Sequence, residues 1–139
     1  MIWLVGNRGM LGQEVARRLQ ELALDTVATD TEVDITDPSA IEGFLDGREA
    51  PDWIVNCAAY TAVDRAEDER DAARGLNVDA VANLAEAARK QNARMLHLST
   101  DYVFNGTEDR EITEDEPPAP ASVYGQTKAD GEAALRSVL

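Results

Sequence analysis

The first apolar run, "IWLV" at residues 2–5, is short, continuous and stops at Gly6, which predicts a strand buried on both faces. From Leu11 the period changes. Leu11, Val15, Leu19 and Leu22 recur at helical spacing, while Arg17, Arg18 and Glu21 fall on the other face. "DTVAT" predicts a second strand, and "DPSAIEGFL" a short helix with Asp37 as N-cap and Pro38 in its first turn. "WIVNCAA" (53–59) predicts a third strand running into a loop. An Ala-rich helix is expected from Asp71 to Gln91, with Leu76, Ala80, Leu84 and Ala88 as its inward stripe. "RMLHLST" (94–100) predicts a fourth buried strand, ending in Ser99 and Thr100. A polar loop with Pro117, Pro118 and Pro120 then leads into a last helix that starts near Val123.

Strands alternating with helices predict parallel pairing through crossovers, giving a Rossmann-type doubly wound α/β sheet. No repeat or linker divides the chain, so residues 1–139 are read as one NAD(P)-binding domain. No cap or breaker follows the helical pattern at Leu139, where a helix would ordinarily show one.

Composition narrows the picture. No run approaches the roughly 20 apolar residues that cross a bilayer, and the opening "MIWLVG" carries no secretory pattern, so a cytoplasmic protein without membrane contact is expected. Cys57 is the only cysteine, which excludes an internal disulfide, and no Cys/His cluster predicts a metal site. A formal charge of −14 argues against nucleic acid as a partner. The excess sits in "EVDITD", "DRAEDERDAA" and "GTEDREITEDE", read as solvated faces and loops. "ITEDEPPAPAS", beside the last helix, is read as a solvated loop within reach of a substrate.

"GNRGMLG" places Gly6, Gly9 and Gly12 between the first strand and the first helix. Gly6 permits a tight exit from the strand, Gly9 a close approach to a pyrophosphate, and Gly12 close packing of helix on sheet. The helix N-terminus would then face the phosphates, with Met10 and Leu11 in its first turn. Asp30, at the end of the second strand, can accept hydrogen bonds from the adenosine ribose, which favours NADH. Arg8, inside the glycine turn, can instead meet a 2′-phosphate and so serve NADPH; the balance tilts to NADH.

Tyr124 and Lys128 stand four residues apart and share one helix face. An ammonium beside a phenol stabilises the phenolate, so such a pair can exchange protons with a substrate. A hydroxyl from Thr100 can hold the same substrate oxygen. Together these groups suit reduction of a ketone by hydride and a proton. His97 and Cys57 are read as packed residues, and Trp3 and Trp53 as core.

"GNRGMLG", "VDITD", "VNCAAYTAVDRAE", "HLSTDYVFNG" and "YGQTKADGE" cover nearly all of the chain, in family order and spacing. With them the chain resembles the extended short-chain dehydrogenase/reductases. The resemblance implies NAD(P)H-dependent reduction of the 4-keto group of dTDP-4-dehydro-L-rhamnose, in dTDP-rhamnose biosynthesis. It makes Thr100, Tyr124 and Lys128 the catalytic set, with Tyr124 and Lys128 also touching cofactor and Thr100 and Asp101 near the sugar. Gly6, Gly9, Met10, Leu11, Gly12 and Asp30 would cradle the cofactor, Asp34 and Ile35 would flank its adenine, and Ala59, Tyr60 and Thr61 would line it further along. Sugar-nucleotide dehydratases of similar pattern use an Asp-Glu pair after the threonine; here Asp101 is followed by Tyr102, which disfavours elimination.

By the same resemblance the family chain is about twice as long. The expectation is a sheet truncated before a smaller C-terminal substrate domain and inactive alone, with homodimer contacts and any Mg2+ ligands lying beyond Leu139. Two alternatives stay open: a regulatory nucleotide-binding subunit resembling that of methionine adenosyltransferase, and a reductase or epimerase for another nucleotide-sugar.

Overall fold

The computed structural model describes residues 1–107 and 110–139. Glu108 and Asp109, part of the acid-rich loop expected to be solvated, lie outside them. Four short strands, β1 (Ile2–Val5), β2 (Thr26–Thr29), β3 (Trp53–Asn56) and β4 (Arg94–His97), form one parallel sheet in the order β2-β1-β3-β4. The chain leaves β1 in one direction and returns across it to β3, so a topological switch point lies between β1 and β3. Val5 is in register with both Thr29 and Asn56, and Asn56 with His97, so all four strands end at one level.

Helices α1 (Met10–Glu21), α2 (Pro38–Leu45), α5 (Ala80–Gln91) and α6 (Val123–Val138) supply the layers, with two short helices, α3 (Val63–Ala66) and α4 (Arg70–Arg74), before α5. The core lies between the sheet and the α2–α5 layer. Trp3, Val5 and Ile54 meet Ile41 and Leu45 of α2 and Ala80, Leu84 and Ala88 of α5. Trp3 stacks on Phe44 at 4.8 Å, and its indole N–H donates to Thr29 Oγ1 at 2.9 Å, so the large ring is buried with its polar atom satisfied. The Asp37 cap falls where the sequence predicts it, accepting from the Ser39 N–H at 2.9 Å, and Ser122 caps α6 by accepting from the Gly125 N–H at 3.1 Å.

Several expectations need correction. β4 ends at His97, and Leu98–Thr100 is loop. Nor is β4 buried on both faces: Leu96 is 43% exposed, because α5 covers one face and no described helix covers the other at this edge. For the same reason α1, packed on β1 and β2 alone, leaves Leu11 and Leu22 exposed and only half-buries Val15 and Leu19. Trp53 opens β3 at the surface, 36% exposed, with the Arg94 guanidinium 5.5 Å from its ring. The helix expected from Asp71 to Gln91 is interrupted by one π-helical turn, Gly75–Asp79. Among the described residues, no helix is long and apolar enough to cross a membrane.

Candidate active site

The glycine turn opens at the switch point. Gly6 has φ +80, a left-handed conformation that a side chain would strain, and a Cβ there would lie 2.6 Å from the Ala58 nitrogen. At Gly12 a Cβ would meet the Gly6 carbonyl at 2.0 Å, so α1 presses directly onto the turn. Gly9 is the N-cap of α1 and supplies no side-chain cap, which leaves the helix N-terminus facing the cleft without a protein anion. The cleft, about 630 Å3, is lined by Gly6, Gly9, Asp30, Asp34, Ile35 and Ala59. Gly12 lies buried at its base, and Met10 and Leu11 are exposed on α1. Asn7 Oδ1, inside the turn, is buried without a hydrogen-bond partner, an uncompensated cost that a ligand hydroxyl or water would relieve. These features fit a dinucleotide.

Acidic residues at the β2 end are already engaged. Asp30 accepts from the Arg8 N–H at 3.0 Å and the Thr31 N–H at 2.9 Å, so its carboxylate ties the loop to the glycine turn. The Arg8 guanidinium pairs with Glu32 at 3.2 Å. Asp34 accepts from the hydroxyl and backbone N–H of Thr36, which holds its carboxyl below the usual range. Cys57 also lines the cleft, where burial pushes its thiol up.

The second group of residues meets beyond β4. Thr100 caps a single 3-10 turn, Asp101–Val103, its hydroxyl accepting from the Tyr102 N–H and donating to Asp101 Oδ1, both at 3.3 Å. Tyr124, in the first turn of α6, packs edge-on against Tyr102 at 5.6 Å. α6 can come this close because residue 125 is glycine: a Cβ there would lie 2.1 Å from the Tyr102 carbonyl. Lys128 is 2% exposed, and its ammonium donates to the Leu98 carbonyl at 2.5 Å. Burial pushes its pKa down, opposed by the Glu132 carboxylate one turn along α6. Thr100, Tyr124 and Lys128 therefore sit on the β4 exit and the helix packed against it.

Two polar residues, Asn77 and Asn56, escape sequence reasoning. Asn77, on the π turn, is 1% exposed; its Oδ1 accepts from the Tyr60 N–H at 2.8 Å, and its Nδ2 donates to the Tyr60 carbonyl at 3.1 Å and Thr127 Oγ1 at 3.0 Å. It thus ties the Ala59–Thr61 segment to α6. The Tyr60 hydroxyl donates to Glu69, which raises the phenol's pKa. Asn56 and His97 form the other unforeseen pair, Asn56 Nδ2 lying 3.1 Å from His97 Nδ1. His97 is thus hydrogen-bonded, as expected, and burial, with the Lys128 charge adding to it, lowers its pKa to about 4. Among the described residues, no three His, Cys, Asp or Glu side chains gather as a metal site.

A parallel sheet wound in two directions, with a glycine turn at its switch point, defines a Rossmann-type nucleotide-binding α/β fold. The chain belongs to the family described as the RmlD substrate binding domain, whose model matches residues 1–139. A probable dTDP-4,6-dihydroxy-2-methyloxan-3-one 4-ketoreductase of Streptomyces antibioticus is 47% identical over 142 residues, an alignment covering 100% of this chain and 48% of that one. The dTDP-4-dehydrorhamnose reductase of Escherichia coli (strain K12) is 41% identical over 97% of this chain and 46% of its own. The solved dTDP-4-dehydrorhamnose reductase of Bacillus anthracis str. Ames, in complex with NADP, superposes with a TM-score of 0.93 at 34% identity, covering 99% of this chain and 49% of that one. The chain spans about half the length of the curated relatives it matches.

Proposed function

We propose that these residues are the cofactor-holding and proton-donating part of an NAD(P)H-dependent reductase acting on the 4-keto group of dTDP-4-dehydro-L-rhamnose. The observation that carries this reading is convergence: the glycine turn at β1 and the Thr100–Tyr124–Lys128 group beyond β4 open onto the same end of one sheet. The names of the relatives support the substrate class.

The bound nicotinamide would supply a hydride to C4 of the sugar. The N-terminus of α1, with Gly6, Gly9 and Gly12 clearing space, takes the pyrophosphate. Ile35 and Asp34 line the adenine end of the cleft, and Ala59–Thr61, fixed by Asn77, the other. At the substrate, the Thr100 hydroxyl turns its hydrogen from Asp101 Oδ1 to O4 and orients the carbonyl. Tyr124 gives O4 its proton as C4 gains the hydride, so the ketone becomes an alcohol and Tyr124 is left as phenolate. The Lys128 ammonium stabilises that anion. Asp101, the acceptor of the Thr100 hydroxyl before substrate arrives, borders the sugar.

NADH is the preferred donor in this reading. Glu32 pairs with the Arg8 guanidinium and Asp30 accepts from the Arg8 backbone N–H, so two carboxylates stand at the ribose end, an environment that disfavours a 2′-phosphate. Glu32→Gln releases Arg8 and is expected to lower the KM for NADPH relative to NADH.

The test is oxidation of NADH and NADPH by the complete natural protein in the presence of dTDP-4-dehydro-L-rhamnose. Substrate-dependent oxidation is expected. No oxidation, together with stable capture of another enzyme, would favour a regulatory subunit instead. Oxidation with a different nucleotide-sugar only would keep the reaction and change the substrate.

A further inference from the structure

Behind the proposed proton donor, three polar side chains form a line from sheet to helix. Asn56 ends β3, His97 ends β4, and the two are register partners. The Ala58 N–H donates to Asn56 Oδ1 at 3.0 Å, which fixes the amide with its oxygen toward Ala58 and its nitrogen toward His97. That nitrogen lies 3.1 Å from His97 Nδ1. An amide nitrogen only donates, so Nδ1 accepts, and the neutral imidazole carries its hydrogen on Nε2. Nε2 in turn lies 3.4 Å from Lys128 Nζ. A donor thus faces a donor.

We propose that His97 is a positioning residue for Lys128: Asn56 holds it as the Nε2–H tautomer, and that N–H, aimed at the ammonium, denies Lys128 an acceptor and loosens its hold on a proton. The consequence for turnover rests on the reductase reading; the tautomer does not. After Tyr124 has given its proton to the substrate oxygen, Lys128 passes one of its own to the phenolate, leaving a neutral amine that solvent reprotonates. An ammonium with an acceptor on every side would part with that proton less readily.

The surroundings of Lys128 divide between the two directions. His97 and the Leu98 carbonyl face it from β4 and the loop beyond, the carbonyl favouring the charged form. Glu132, which accepts from the Ser99 hydroxyl, favours the charged form from its own helix, and Tyr124 lies one turn earlier. Asn77 on the neighbouring π turn is neutral and reaches Thr127 instead. Burial lowers the proton affinity of both His97 and Lys128, in the same sense as the donor–donor contact.

The test is nitrogen NMR of 15N-histidine- and 15N-lysine-labelled protein without substrate, which reads tautomer and titration directly. His97 is the one histidine among these 139 residues, and the signals lost in His97→Gln identify its ring. The expected result is a neutral Nε2–H ring that stays unprotonated on acidification to pH 5. An Nδ1–H ring, or protonation near pH 6.5, overturns the proposal. Asn56→Asp keeps the acceptor for Ala58 but accepts from Nδ1–H, so the ring hydrogen moves and Nε2 becomes an acceptor for Lys128. In that variant the Lys128 titration should move up by about one pH unit. A flipped ring with an unmoved Lys128 titration overturns the link between the two. If the variant does not fold, the wild-type tautomer decides. Neither readout uses catalysis, so absence of reductase activity with a normal Nε2–H ring would count against the function and not against this pairing.

Discussion

Lys128 is a cation placed where cations are costly: 2% exposed, with one carbonyl at hydrogen-bond distance and an imidazole edge beside it. Such an arrangement costs stability in exchange for a defined position. Folding lowers its pKa below the free value of 10.5, so the unfolded chain binds that proton more tightly, and the cost is largest at neutral pH and fades as pH rises toward 10.5. Lys128→Met is therefore expected to leave stability at pH 7 unchanged or raised by about 1 kcal/mol in denaturant titration. The same variant should lose at least about 100-fold in kcat. A loss of stability comparable to a core truncation would show instead that the lysine holds the fold together. At this scale the sequence was partly legible. The spacing of Tyr124 and Lys128 predicts a shared helix face from five residues of text. The partners of Lys128 were not readable, because His97, backed by Asn56, and Leu98 reach it through strand register and loop path, which no local pattern encodes.

Between residue and molecule, the π turn decides how α6 meets the sheet's end. It carries Asn77, whose side chain makes three hydrogen bonds to Tyr60 and Thr127. Asn77→Ala strands the Tyr60 N–H and carbonyl and should cost about 2–3 kcal/mol in unfolding free energy, with cofactor affinity weakened alongside. An effect confined to stability, with cofactor binding intact, would contradict the positioning role given to Ala59–Thr61. Opposite it, Gly131 lets α6 lie against the Asn77 carbonyl, which a Cβ would approach to 2.1 Å. Gly131→Ala is expected to cost about 1–3 kcal/mol by forcing the two elements apart, measured by thermal unfolding. The sequence showed this region as one helix. Its Leu76, Ala80, Leu84 and Ala88 stripe runs unbroken through the π turn, and small alanines fit either register, so periodicity carries no mark of the widened turn. β4 was misread for a related reason: an apolar run such as "RMLHLS" records that a strand is hydrophobic, not which of its faces is covered.

For the molecule as a whole, the alternation of apolar runs and helical periods was enough to predict a doubly wound parallel sheet, because each βαβ unit is a local pattern with one favoured hand. Which helices cover which face was not legible. The described structure has α1 alone on one side and the α2–α5 layer on the other, with the core on the latter. Global pH dependence also belongs to this scale. His97 binds its proton at about pH 4 when folded and near 6.5 when free, so the unfolded state takes it up first. Stability should therefore fall as pH drops from 6.5 toward 4 and then stop falling on this account, by about 3–3.5 kcal/mol in all. His97→Gln should remove that portion of the acid sensitivity, read as a smaller difference in unfolding free energy between pH 7 and pH 4.5. An identical pH dependence in the variant would place the acid sensitivity elsewhere among the many carboxylates.

The central claim joins the glycine-turn cleft to Tyr124 through one reaction, so the most direct measurement follows the hydride. The complete protein is given dTDP-4-dehydro-L-rhamnose and reduced nicotinamide cofactor deuterated at its transferring position, and the sugar product is analysed by mass spectrometry and NMR. Deuterium should appear at C4 in wild type, and Tyr124→Phe should form that product at least about 100-fold more slowly with cofactor affinity retained. Absence of label at C4, or an undiminished rate in Tyr124→Phe, would contradict the account.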